Sequence, residues 1–317
     1  MTERAQEVRH GLLSKQEHLA PLPIPTGQPA RDLMNIIWRK NDVYMDIGSF
    51  VMGAGWMMLH MLSVLILAVA LWTAASGDIW LSLAMLASMG FGLMGTLWYL
   101  FIKQWRKPLY PPIRFNRQRR QVCITEPDGN YWFVPWERVH AIAPSALSLN
   151  TGGASQQGSL LLWFPLKGQE HEEYAPDKEG WALMVNTGGG ISSMAQWECI
   201  RSFMEVGSEV VPEPSIFHNA GMTLWQSFVH DFKAGVAARG WIVAFLWEGL
   251  GTLVFNDVLY LHLARKKLAN VPDLSAPETI EWSKPLPPEQ WAKRSPELEQ
   301  ATREQENQLS ADTDTTA

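Results

Sequence analysis

IGSFVMGAGWMMLHMLSVLILAVALWTAASG (Ile47 to Gly77) and IWLSLAMLASMGFGLMGTLWYLFI (Ile79 to Ile102) contain no Asp, Glu, Lys or Arg, and Asp78 alone separates them. Each run exceeds the roughly 20 residues that a helix needs to cross about 30 Å of hydrocarbon. The joint Ala74-Ala75-Ser76-Gly77-Asp78 has room only for a tight turn, so the two runs predict a transmembrane helical hairpin over 47–103. The first run lies too far from the N-terminus, and is too long, for a signal peptide.

Basic residues orient the hairpin. The turn carries none, whereas Arg39 and Lys40 precede the first run and Lys103, Arg106, Lys107, Arg114, Arg117, Arg119 and Arg120 follow the second. The positive-inside rule then predicts a cytoplasmic location for both termini, with those seven later cations at the membrane surface. Cys123 and Cys199 would face a reducing compartment, which disfavours a disulfide.

The flanks divide by composition. Residues 1–46 hold Pro21-Leu22-Pro23-Ile24-Pro25 and mixed charge, which predicts an extended, unpacked cytoplasmic arm; Ile36, Ile37 and Trp38 read as an approach to the membrane. Over 110–208 the pattern changes to strands. Short β-branched or aromatic segments fall at 113–116, 121–125, 131–134, 139–143, 159–164, 171–174 and 181–185, with Asp128-Gly129-Asn130 as a hairpin turn. An amphipathic helix over 192–207 closes the series through Met194, Trp197, Ile200 and Met204. Seven strands and one helix predict a pleckstrin-homology-like (PH-like) antiparallel β domain. Helices are expected over 215–268, ending at Gly235 or Gly240 and resuming in Trp241 to Ala264. Glu248 and Asp257 would each cost about 2.5–3.5 kcal/mol in mid-membrane, so this run reads as a helix packed on its neighbour or lying on the bilayer, the alternative being a third crossing. A Pro-rich strap carrying Trp282 and Trp291, then a tail without order, fill 269–317. The fold class is therefore membrane α+β with a C-terminal helical extension.

Motifs for chemistry are scarce. There is no HExxH and no Cys pair at metal spacing, and Gly188-Gly189-Gly190 lacks the Lys-Ser/Thr ending of a phosphate loop. His171, Glu172 and Glu173 are adjacent, and neighbours on a strand point to opposite faces. His230-Asp231 has no evident nucleophile to activate. His60 inside the first run reads as a neutral group bonded to a neighbouring helix, the alternative being a proton path. No catalytic residue, metal or cofactor is expected. Gln121 to Phe217 holds 12 acidic and 4 basic residues, which disfavours nucleic acid as a partner. That excess either keeps the domain soluble or receives a basic protein. The tryptophans at 132, 136, 163, 181 and 197 read as barrel core, or alternatively as a partner hot spot.

The stretch Arg114-Phe115-Asn116-Arg117-Gln118-Arg119-Arg120-Gln121-Val122, with Val134-Pro135-Trp136-Glu137-Arg138-Val139, resembles a bacterial two-span membrane family. Its genes often lie beside type VI secretion toxins, and some members look like immunity proteins. The resemblance spans about residues 35 to 295 and implies an inner-membrane immunity protein whose partners are a cognate toxin and membrane lipids. Membrane-tethered adaptor or scaffold for a secretion or envelope complex is the alternative, and a hydrolase within Gly190 to His230 a third. For partner binding the candidates are Glu170, Glu172, Glu173, Asp177 and Glu179, an acidic loop suited to steering a basic protein.

Overall fold

Short segments rich in β-branched and aromatic residues pair into two antiparallel sheets of five strands each. The computed structural model describes residues 7–11, 14–50, 52–150, 153–170, 174, 178–188, 190–214 and 221–316. They group into two units: a sheet unit (Met1–Ser49, Tyr110–Ser215 and Pro272–Ala317) and a helical unit (Phe50–Leu109 and Ile216–Val271).

In the sheet unit the strands are β1 (Val8–His10), β2 (Ser14–Ala20), β3 (Ile37–Lys40), β4 (Tyr44–Ile47), β5 (Ile113–Asn116), β6 (Gln121–Thr125), β7 (Tyr131–Pro135), β8 (His140–Asn150), β9 (Gly153–Phe164) and β10 (Trp181–Asn186). One sheet runs β3-β4-β5-β6-β7 and the other β1-β2-β8-β9-β10. The expected hairpin is present. Val122 faces Val134 across β6 and β7, and Gly129 takes φ +90°, a conformation that costs glycine little. Helix α3 (Gly190–Glu205) packs on β8 and β9, burying Trp197, Ile200 and Phe203 against Phe115, Trp136 and Leu162. Trp136 and Trp197 stack with centroids 5.4 Å apart.

Residues 1–46 depart from the sequence expectation. The arm supplies four strands: β1 and β2 extend one sheet through β8, and β3 and β4 extend the other through β5. Ile36, Ile37 and Trp38, read as an approach to the membrane, are buried in the sheet unit. Isolated from their partners these residues look unpatterned, because His18 and Asp46 are polar yet fully buried. Ile47 likewise belongs to β4, so the first apolar helix starts later than its run of residues. Among the later expected strands, 171–173 lie outside the described residues, and Tyr174 is not in a strand.

The strap does dock. Trp282, at the end of a short helix (Pro277–Trp282), packs with Leu274 and Cys123, and its indole donates to Gln121 Oε1 at 2.9 Å. The tail beyond it is helical, not orderless: Pro296–Thr316 forms one helix with Leu298, Thr302 and Gln305 buried along one side. Ser295 caps it, its hydroxyl accepting from Leu298 N at 3.1 Å, with Pro296 at the first helical position. Leu298 and Leu309 are the two large apolar residues on that face, too sparse a pattern to read as a stripe.

In the helical unit, α1 (Gly53–Ala75) and α2 (Ile79–Trp105) are long and apolar enough to cross a membrane. Asp78 caps α2, accepting from Leu81 N at 3.0 Å. Within their most apolar stretches only 17% and 6% of residues are buried, unlike a core helix of a soluble protein. The glycines of the two helices do not meet face to face. A Cβ on Gly55 would touch Phe101, but Gly90, Gly92 and Gly95 border only their own helix. Hydrogen bonds join the pair instead: Ser82 Oγ donates to Ala70 O at 2.8 Å and Trp98 Nε1 to Ser63 Oγ at 3.1 Å. Helix 224–239 starts on a capping box at Thr223 and Gln226 and ends at Gly240, not Gly235. The next helix covers 241–255, and Asn256, at φ +49°, separates it from Asp257–Leu268.

Arg114 makes a two-point contact with buried Asp46, at 2.6 and 2.7 Å, and Asp273 from the strap joins at 2.7 Å. Arg114→Ala leaves the Asp46 carboxylate buried without its main partner. The expected loss is about 3–5 kcal/mol of unfolding free energy by denaturant titration of the detergent-solubilised protein, against under about 0.5 kcal/mol for Arg303→Ala, which breaks an exposed pair on the tail helix.

Candidate functional site

The basic residues expected at a membrane surface divide into two groups. Lys103, Arg106 and Lys107 are exposed in the last turn of α2 and just beyond it. The others are taken up inside the sheet unit. Arg114 is 2% exposed and bound to Asp46, while its guanidinium also lies 3.7 Å from the Tyr44 ring centroid. Burial alone would lower the Arg114 pKa; the Asp46 hydrogen bonds and charge reverse that and raise it. Arg120 is buried between Glu205 at 2.8 Å and Glu137 at 3.1 Å. Arg119 donates to Trp282 O at 2.9 Å and Arg117 to Val206 O at 3.0 Å. Arg39 and Lys40, read as inside-positive flank, are also internal: Lys40 donates to Ser208 O and Val211 O, and Arg39 pairs with Asp46 at 3.5 Å.

Two buried charge clusters therefore hold the C-terminal strap. Asp46 and Arg114 grip it at Asp273 and Ser283; Glu205 grips it at Arg294 at 2.6 Å. Burial opposes ionisation of Glu205, yet hydrogen bonds and charge from Arg120, with Trp136 Nε1 and Arg294, hold its carboxyl below the usual carboxylate range. Asn116 turns the chain, its Oδ1 accepting from Gln118 N and Arg119 N at 3.1 Å. Its amide also donates to Trp282 O at 3.0 Å, so the motif is largely a seat for the strap.

The acidic loop is only partly described. Glu172, Glu173 and Asp177, with His171, lie outside the described residues. Glu179 is exposed; Glu170 accepts from Gly168 N at 2.7 Å in the turn that precedes it. Several acidic residues of 121–217 are paired within the fold. Glu198 and Glu205 are buried against Arg201 and Arg294, Glu137 is half-buried beside Arg120, and the exposed Glu213 pairs with Lys40. The tryptophans follow the core reading: Trp132, Trp136, Trp163 and Trp197 are buried and Trp181 packs against them. This removes the proposed aromatic hot spot from the sheet-unit surface. A shallow depression of about 490 Å³ across β2, β8, β9 and β10 is lined by uncharged side chains, among them Gln16, Ser145, Gln157 and Asn186.

No group of three or more His, Cys, Asp and Glu is placed to hold a metal among the described residues. Cys123 and Cys199 are free and buried; burial pushes the Cys123 thiol up to about 12, and Cys199 also upward, which suppresses the reactive thiolate. His230 and Asp231 touch at 3.2 Å on an exposed helix face. In the helical unit His60 lies between the rings of Trp56 and Trp98 and meets Asn256 Nδ2 at 3.4 Å; that partner is the non-helical residue between two helices and not a helix residue. Lys267 donates to the carbonyls of Trp105 and Lys107, placing a cation at the C-terminal end of α2 where the helix dipole favours it.

One pairing had no signal in the sequence: His18 of β2 and His140 of β8 meet Nδ1 to Nε2 at 3.2 Å, both fully buried, with Tyr174 stacked on His140. Compared with known proteins, the chain matches no family model, no curated protein and no solved structure.

Loss of hydration, then the neighbouring His18, pulls the His140 pKa down to about 3 from its ordinary 6.5. Between these values the unfolded chain binds a proton that the folded chain refuses. The contribution is thus complete above pH 6.5 and is lost as pH falls, by about 2 kcal/mol at pH 5. Thermal melts should show this fall between pH 6.5 and 5, and His140→Phe should flatten it.

Proposed function

We propose that this chain is an inner-membrane immunity protein, a membrane-anchored binding module that captures and neutralises a basic toxin in the bacterial cytoplasm. The observation that carries the anchoring is the place of α1 and α2 in the fold. They are inserted between β4 and β5, whose terminal residues Ile47 and Ile113 are cross-strand partners. A chain that leaves and returns through one strand pair crosses a bilayer an even number of times. The two apolar helices supply that pair of crossings, and Lys103, Arg106 and Lys107 favour the cytoplasmic side for both ends.

The PH-like reading of the sheet unit is supported by element order. A four-strand meander, β4 to β7, is followed by three strands, β8 to β10, and then by α3 lying across β8 and β9. On this reading the membrane hairpin occupies the first β-turn of the domain, and β1 to β3 are additions to its edges. Such a scaffold presents loops on a rigid support, which suits binding. The toxin as partner rests on the family resemblance, with Glu170 and Glu179 as the described members of the steering loop.

Two measurements test this. A deletion strain should lose in competition against siblings armed with the toxin encoded beside this gene; equal fitness would overturn the immunity reading. Charge reversal (Glu170→Lys with Glu179→Lys) should slow association with that toxin by roughly threefold or more at low salt. An unchanged on-rate would remove the loop as the docking face. Co-purification of secretion machinery in place of the toxin would favour the adaptor.

A further inference from the structure

Helix 241–255 exposes a broad apolar surface. Trp241, Ile242, Phe245, Leu246, Trp247 and Leu250 are between 44% and 68% exposed, and no charged residue shares their face. The one acidic side chain, Glu248, turns inward. It pairs with Arg239 and packs so closely on helix 224–239 that a Cβ at Gly235 would stand 2.6 Å from its carboxylate. A helix lying on a bilayer keeps a polar face toward water. Here the sides not covered by protein are apolar.

The same helix is fixed to α1. Its last turn packs there, and at its end Trp56 Nε1 donates to Asn256 O at 2.9 Å while Asn256 Nδ2 reaches His60. Trp56 and His60 are the fourth and eighth residues of α1, about 5–11 Å along its axis from Gly53. Asn256 therefore sits level with the interior of a helix that itself exposes apolar surface on its other sides. The chain there is not helical, since Asn256 has φ +49°. Its polar groups are nevertheless satisfied: the carbonyl by Trp56, the N–H by Thr252 O at 2.8 Å and the amide by His60. Irregular backbone survives at membrane depth only under that condition.

Chain connectivity decides whether this segment crosses. Before it, Lys40 holds the carbonyls of Ser208 and Val211; after it, Arg114 holds Asp273, all within the sheet unit. Both ends of 216–271 thus return to the unit from which they left, so an odd number of crossings is impossible. Two crossings would need two spanning helices. Helix 224–239 has 16 residues and carries His230, Asp231, Lys233 and Arg239, and 241–255 falls short of the roughly 20 residues required.

We infer that residues 241–255 are a re-entrant segment, buried in the acyl chains of the leaflet in which α1 begins and α2 ends, and turning back at Asn256 without crossing. The inference rests on α1 and α2 spanning the membrane, and the test separates the two. In the full-length protein, single cysteines replace Ile242, Leu246 and Leu250, and a control replaces Ser76 in the α1–α2 turn; Cys123 and Cys199 stay, being fully buried. In intact cells, Ser76→Cys should react with a membrane-impermeant maleimide from the periplasm and the other three should not. In phosphatidylcholine–phosphatidylglycerol vesicles, an environment-sensitive dye on the three should emit to the blue. It should be quenched more by lipid doxyl-labelled near the headgroup than by lipid labelled near the chain end.

A protected Ser76→Cys would overturn the spanning hairpin and the re-entrant segment together. With Ser76→Cys labelled, periplasmic labelling at 242 or 246 would mean crossing and overturn the re-entrant segment alone. So would water-like emission, or blue emission without lipid quenching, the sign of a protein partner or second copy covering the face.

Discussion

Four cross-strand residue pairs between β4 and β5 carry the architecture: Tyr44 with Asn116, Met45 with Phe115, Asp46 with Arg114 and Ile47 with Ile113. They close an excursion of 65 residues, 48 to 112, that holds both apolar helices. Closing a flexible loop of that length costs about 4 kcal/mol. The helical hairpin reduces this by returning its own ends to one another, and the buried pair of Asp46 and Arg114 fixes the register. A slip of one residue would turn Phe115 out of the core and pull Arg114 from its carboxylate.

The second interruption obeys the same logic. The chain leaves the sheet unit after α3 and comes back at Asp273, where the cluster that closes the first excursion also receives the strap. One arginine thus serves both closures. Glu205 does the equivalent work further along, joining Arg120 of the sheet to Arg294 ahead of the tail helix. The strap and the strand pair that carries the apolar hairpin therefore share buried charges.

Much of the local structure was legible. The β6–β7 hairpin, the helix carrying Trp197 and the core tryptophans followed from period and turn chemistry over a few residues. The helix start at Thr223 was not singled out, although its capping box is a local signal. What misled was charge. Arg114, Arg117, Arg119 and Arg120 looked like part of a headgroup cluster with Lys103, Arg106 and Lys107, because a basic stretch beside a membrane helix usually is one. Their partners lie far away in the chain: Asp46 is 68 residues from Arg114, Asp273 is 159, and Glu205 is 85 from Arg120. No window of sequence contains both halves of such a pair.

Sequence by itself determined where the two long apolar helices lie, since helix length and absence of charge are properties of consecutive residues. It also determined the strand-rich character of 110–208, because alternation and turn residues act over a few positions. Tertiary structure alone decided that the arm is four strands, that the tail is a helix and that Arg114 and Arg120 are interior. Each of those outcomes depends on burying a polar or weakly patterned segment against a partner distant in the chain. Burial of that kind is stable only once hydrogen bonds and opposite charges converge, and convergence is a property of the folded molecule.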